Sequence, residues 1–280
     1  MAQQFDSGLP AGWQCTGNCG TSASVDTSLG SVVSQPMSSY GWVSTESGID
    51  AISPFPNASV PDNGAGGLGN TNGSLLHSAA FTANKDEVLK FQFNYVTSDG
   101  ATFADYAWAR LLYAGSGTQA AVIFTARTNQ EVSQSVVPGF GLPNPNTTLT
   151  PGTAVIVDAG YTPGVTGPVW SPLGTASSGT CYSSGCGYTG WIGASYTVAG
   201  TGSYVLEFGV TNWDDTAFDS GLAFNAVTIG GGHGGDDVSI DDGSRHVSSV
   251  PEPQTWLMSL AGLALLGGLA RHRKQAEVAA

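Results

Sequence analysis

Between Val88 and Thr97 the chain alternates with a period of two: Leu89, Phe91, Phe93 and Tyr95 are apolar, and Lys90, Gln92 and Asn94 between them are polar. Successive strand side chains point to opposite faces, so this spacing predicts a strand with one buried face and does not fit the stripe of an amphipathic helix. The pattern returns from Tyr204 to Thr211, where Tyr204, Leu206, Phe208 and Val210 alternate with Val205, Glu207, Gly209 and Thr211. Further strands are expected at 40–45, 74–81, 105–113, 119–125, 191–198 and 222–229. A weaker β-type run lies at 25–33, and an edge strand and turn at 5–13. Within 105–113, Tyr106, Trp108 and Leu112 share a side with Arg110. Short strands separated by Ser, Asp and Gly turns predict antiparallel sheets packed face to face, an all-β, jelly-roll-like sandwich spanning residues 1–229.

Two stretches break the periodicity. Residues 49–72 hold few bulky side chains and read as a loop. Residues 137–188 fill with Pro, Gly, Ser and Thr around one short strand at 154–158, and a loop of that length in a compact domain is functional or disordered. It carries Phe140, Tyr161, Trp170, Tyr182 and Tyr188. Tyr161, Trp170 and Tyr182 are candidates for stacking on sugar rings; the alternative is that such rings fill gaps against the sandwich. The four cysteines form two close pairs, Cys15 with Cys19 and Cys181 with Cys186. Each pair brackets a turn-like stretch, which favours two local disulfides over a four-thiolate zinc site in an oxidising compartment.

Catalytic signatures are sparse. Of the four histidines only His77 falls inside the expected sandwich, and no Gly-x-Ser-x-Gly or His-Glu-x-x-His motif accompanies it. Carboxylate chemistry needs no histidine, and Glu207, Asp214, Asp215 and Asp219 cluster in sequence, as do Asp99 and Asp105. Turn-forming aspartates bonded to neighbouring amides are the plainer reading of most of them. The sharper one is a calcium site with hard oxygens from Asp214, Asp215 and Asp219, completed by Asp99 or Asp105; no other cofactor is indicated.

Charge separates the chain into two parts. Residues 1–250 hold five Lys or Arg against nineteen Asp or Glu, while the last thirty residues hold three against two. A strongly anionic body repels nucleic acid and anionic lipid, so no nucleic-acid partner is expected. Seven Trp and eleven Phe argue against a disordered chain. Residues 230–249, Gly-rich and then Asp-rich, read as a flexible linker.

The C-terminus has three ordered parts: Val250-Pro251-Glu252-Pro253, an apolar run at 256–270, and the basic residues Arg271, Arg273 and Lys274, followed by a tail at 275–280. As a helix the run would reach about 22 Å, short of a comfortable bilayer span. Basic residues stay cytoplasmic, which would leave the body of the chain outside. This order of features over 250–274 resembles the PEP-CTERM sorting signal of Gram-negative, exopolysaccharide-producing bacteria. The resemblance implies an exported precursor held in the inner membrane by its C-terminal transmembrane helix and processed by an exosortase, then placed at the cell surface or in the extracellular matrix. Export calls for a signal peptide, and Met1-Ala2-Gln3-Gln4-Phe5 shows neither a basic nor an apolar stretch, so that signal is expected upstream or already removed. The function expected is a non-enzymatic polysaccharide-associated or adhesion module of a biofilm. The alternative is an extracellular glycosidase or lyase using paired carboxylates on the same sandwich.

Overall fold

The computed structural model describes residues 5–22, 39–50, 52–55, 69–129, 134–154, 161–231, 238–239 and 246–247. These belong to one compact unit, Met1–Val247. The strands are β1 (Gln14–Thr16), β2 (Asn18–Ser22), β3 (Tyr40–Ser44), β4 (Ile49–Asp50), β5 (Asn70–His77), β6 (Phe81–Ala83), β7 (Glu87–Thr97) and β8 (Tyr106–Tyr113). They continue as β9 (Gln119–Arg127), β10 (Thr148–Thr150), β11 (Gly187–Tyr188), β12 (Ile192–Thr197), β13 (Gly202–Trp213), β14 (Ser220–Gly231), β15 (Val238–Ser239) and β16 (His246–Val247).

All pairings within the two sheets are antiparallel, as expected for the sandwich. The first sheet runs β1-β5-β13-β8-β9, with β4 also on β5 and β6 also on β13. The second runs β10-β12-β7-β14; β3 pairs the first half of β14 and β15 its second half, with β2, β16 and β11 on β3, β15 and β7. The inner faces close on each other through aromatic rings. Phe93 stacks on Phe124 at 3.7 Å and Phe208 on Phe224 at 3.9 Å, and Leu76, Leu206, Leu222 and Ile229 pack around them.

Both outer faces are also partly covered, and this explains burial that alternation alone does not. On β7 the burial alternates from Leu89 to Gln92, then becomes continuous from Phe93 to Thr97. The outer side of that continuous stretch lies beneath a cluster of Tyr40, Val96, Trp170, Leu173 and Ala223, with Trp42, Tyr188 and Trp191 against it. Trp170 enters this cluster from the long 137–188 stretch, just before the short helical turns Ser171–Leu173 and Gly174–Ser177. On the first sheet, β8 turns its large residues outward: Tyr106 and Trp108 join Phe55 and Val122 in an outer cluster, while Ala107, Ala109 and Leu111 face the main core.

Three expectations are corrected. The segment 5–13 forms turns, not an edge strand: Phe5 is buried, edge-on to Trp13 and Phe224, and plugs the core. The loop expected at 49–72 supplies β4, the buried Phe55 and the start of β5. The linker expected at 230–249 is part of the second sheet at Val238–Ser239 and His246–Val247, because β14 offers an open edge beyond Asn225 that these residues pair with directly or through each other. The run at 25–33, all of the strand at 154–158 but Ala154, and the C-terminal helix at 256–270 lie outside the described residues.

An aromatic and acidic end of the sandwich as candidate functional site

Strands β7, β13 and β14 end on the same side of the sandwich, so the segments 98–105 and 214–219 meet there. The 181–186 segment joins them through the pairing of β11 with the end of β7. The main chain binds the three together: Ser98 N donates to Asp219 O at 3.1 Å, Tyr182 N to Ser98 O at 3.0 Å, and Ala101 N to Ser184 O at 2.8 Å. A disulfide between Cys181 and Cys186 ties the base of the third segment, and a second joins Cys15 to Cys19, the local pairing favoured above. Tyr182 stands on the tied segment with its ring 5.3 Å from Phe103 and 5.0 Å from Phe218. It is 44% exposed, so this end presents an aromatic surface to solvent.

Behind the rings sit acidic side chains. Asp99, 1% exposed, accepts from Gly100 N at 2.6 Å through Oδ1, while its Oδ2 has no hydrogen-bond partner. Burial, reinforced by the charge of Asp105, pushes Asp99 up to about 10. Asp105 accepts from Trp213 N at 2.8 Å and from Ser220 Oγ at 2.6 Å, and burial raises it as well. Asp219 accepts from Thr45 Oγ1 at 3.0 Å and Ser177 Oγ at 2.7 Å, and is raised by burial.

The calcium candidates are not brought to one point. Asp214 Oδ1 accepts from Gly69 N, Asp215 Oδ1 from Ala217 N, and both oxygens of Asp219 are taken by hydroxyls. Among the described residues no group of three or more His, Cys, Asp or Glu side chains is placed to hold a metal ion. The physical reason is local: a short acidic side chain in a turn satisfies a nearby main-chain amide first.

Of the sugar-stacking candidates, only Tyr182 has an exposed ring. Trp170 is fully buried and its Nε1 donates to Tyr40 Oη at 2.9 Å, and Tyr161 is partly buried. Phe140 packs 5.4 Å from the guanidinium of the buried Arg127, beside Tyr106 and Trp213. Phe103 and Phe218, which complete the aromatic end, stand out in no sequence pattern; only the meeting of three distant loops makes them neighbours.

Glu207 lies away from this end, on the outer face of the first sheet. Its cross-strand neighbours are His77 on β5 and Arg110 on β8. His77 Nε2 is 2.7 Å from Oε2, Arg110 donates to both oxygens, and Trp108 Nε1 donates to Oε1 at 2.8 Å. Burial alone would raise this carboxyl, but the bonds from His77, Arg110 and Trp108 and the Arg110 charge outweigh it and hold it at about 2. His77 is thereby tied to a buried ion pair.

With this geometry in view, the comparisons with known proteins bear on the C-terminal segment more than on the body of the chain. Residues 249–274 match the model of the PEP-CTERM protein-sorting motif. This chain carries a PEP-CTERM sorting motif. The motif marks an exported surface protein and implies processing by an exosortase-type enzyme. The PEP-CTERM segment itself lies outside the described residues, among which no helix is long and apolar enough to cross a membrane. No curated protein matches the chain. A solved structure, the K3 cleaved adhesin domain of Lys-gingipain from Porphyromonas gingivalis W83, aligns with 82% of this chain and 98% of its own at 10% identity and a TM-score of 0.34. A likeness at that score carries no argument about the PEP-CTERM chain.

Proposed function

We propose that this protein is a non-enzymatic module of the cell surface or extracellular matrix, associated with exopolysaccharide and contributing to adhesion or biofilm structure. Its precursor is held in the inner membrane through the 256–270 run before processing. The observation that carries the reading is the exposed ring of Tyr182, held in place by Phe103, Phe218 and the Cys181–Cys186 disulfide. A flat ring on a loop that does not need ordering is suited to stack on a sugar without losing much freedom on binding.

The carboxylates support a structural role. Glu207 is locked by three partners, and the oxygens of Asp105 and Asp219 are engaged by amides and hydroxyls. One observation favours the second reading, a glycosidase or lyase: Asp99 keeps its proton at neutral pH beside other carboxylates, as a general acid must. A polysaccharide panel scored for both binding and release of reducing sugars separates the two. Binding without release is the expected result. Release that Asp99→Asn abolishes would replace the proposal with an enzyme, and neither binding nor release would remove polysaccharide from the account.

A further inference from the structure

Among the described residues, the outer face of the second sheet is covered by the Trp170 cluster at one end only. At the other, β10, β12, β7 and β14 form a trough of about 430 Å³. The register arranges its floor in two rows across the strands. Thr150, Gly193 and Gln92 make one, and Thr148, Ser195, Lys90 and Thr228 make the other. Trp191, two residues before Gly193 and so on the same face, stands one row further along and is partly exposed.

Gly193 is the informative residue. Its backbone is not in the left-handed region, and a Cβ added there would meet only Thr150, at 3.7 Å from the carbonyl oxygen. Neither conformation nor packing requires glycine, which weakens a strand interior and is found where another molecule approaches the sheet closely. Its effect here is to keep the middle of the trough open. Around it stand four hydroxyls and one amide beside the apolar Phe91, Ala194 and Ala226, with one cation, Lys90, that has no ion-pair partner among the described residues. The chain as a whole carries a net charge of −13, which repels polyanions.

We infer that this trough binds a strand of neutral, hydroxyl-rich polysaccharide. Such a ligand, which carries both hydroxyls and apolar ring faces, matches a floor that mixes hydroxyls and an amide with apolar groups, and is not opposed by the field of the protein. The inference rests on the polysaccharide reading above and places the contact on strand residues that do not include Tyr182.

The test is affinity electrophoresis of the full chain through gels holding a neutral glucan, a neutral galactomannan or alginate, beside Gly193→Leu, Gln92→Ala, Lys90→Met and Tyr182→Ala variants. The expected result is retardation by a neutral polymer that Gly193→Leu weakens about tenfold or more, equivalent to about 1.4 kcal/mol, with an unchanged melting temperature. Should Gly193→Leu melt early, Gln92→Ala, which truncates an exposed side chain, must show the loss instead. Unchanged retardation of both trough variants with loss in Tyr182→Ala would overturn the trough and leave the polysaccharide reading standing. Retardation by alginate alone, abolished in Lys90→Met, would overturn the neutral class. No retardation by any polymer would overturn both the trough and the polysaccharide reading.

Discussion

The indole of Trp170 occupies the space that a side chain at Gly221 would need: a Cβ there would fall 2.5 Å from the ring. Gly221 lies on β14, in register with Val96 of β7, and its missing side chain lets Trp170 and the helical turns after it lie on the second sheet. Gly221→Ala should therefore destabilise the fold by about 1 to 3 kcal/mol through overpacking. Trp170→Ala should cost about 3 to 5 kcal/mol as a buried aromatic truncation. Chemical denaturation of the singles and the double checks the relation. In the Trp170→Ala background the alanine at 221 should cost much less, and strict additivity would refute the contact.

Glu207 makes stability depend on acid in a defined window. Its carboxyl sits at about 2 in the folded chain against an ordinary value of 4.5, so the stabilisation is fully present above about pH 4.5 and lost as pH falls toward 2. The shift corresponds to about 3 kcal/mol. Acid titrations followed by tryptophan fluorescence should show Glu207→Gln less stable than the native chain at neutral pH, with the difference shrinking across that window. A constant difference would mean that the ion pair with Arg110 does not set the titration.

Asp99 acts with the opposite sign. Its folded value of about 10 lies above the ordinary 3.8, so between these limits the folded state holds a proton that the unfolded state has lost. Stability contributed by this group therefore falls as pH rises, by up to about 1.4 kcal/mol per pH unit. Melting temperatures measured from about pH 5 to about pH 8 should decline, and Asp99→Asn, which stays neutral and keeps an acceptor for Gly100 N, should flatten the decline. A variant that melts well below the native chain at the upper end of this range would show that Asp99 is ionised and needed so.

The sorting motif makes its own prediction. Replacing Pro251 and Pro253 by Ala removes the fixed extended backbone ahead of the apolar run. Unprocessed precursor should then accumulate in the membrane fraction of the exporting host, as followed by immunoblot with a tag in the body of the chain. Normal processing of the double variant would separate the motif from its Pro-Glu-Pro element.

The alternation at 88–97 and 204–211 was enough to require strands and a sandwich, because side-chain direction in a strand depends only on position along the chain. The two cysteine pairs were legible for a similar reason: a separation of four or five positions brings the ends of a turn together. So was the C-terminal motif, which is a linear signal. The outer faces were not legible. Whether Trp170 is a solvent-facing platform or a buried lid is decided by Gly221, fifty-one positions away, and the room for the Trp108 indole on the outer face is left by Gly209, its partner on β13. His77 and Glu207, 130 positions apart, become partners only through the register of β5 on β13. Likewise Tyr182 was a candidate beside Tyr161 and Trp170 until three loop ends met and left only its ring exposed. Sequence fixes which way a side chain points from its own strand; what lies above it depends on segments that pair across the sheet, and those long-range pairings are the work of the tertiary fold.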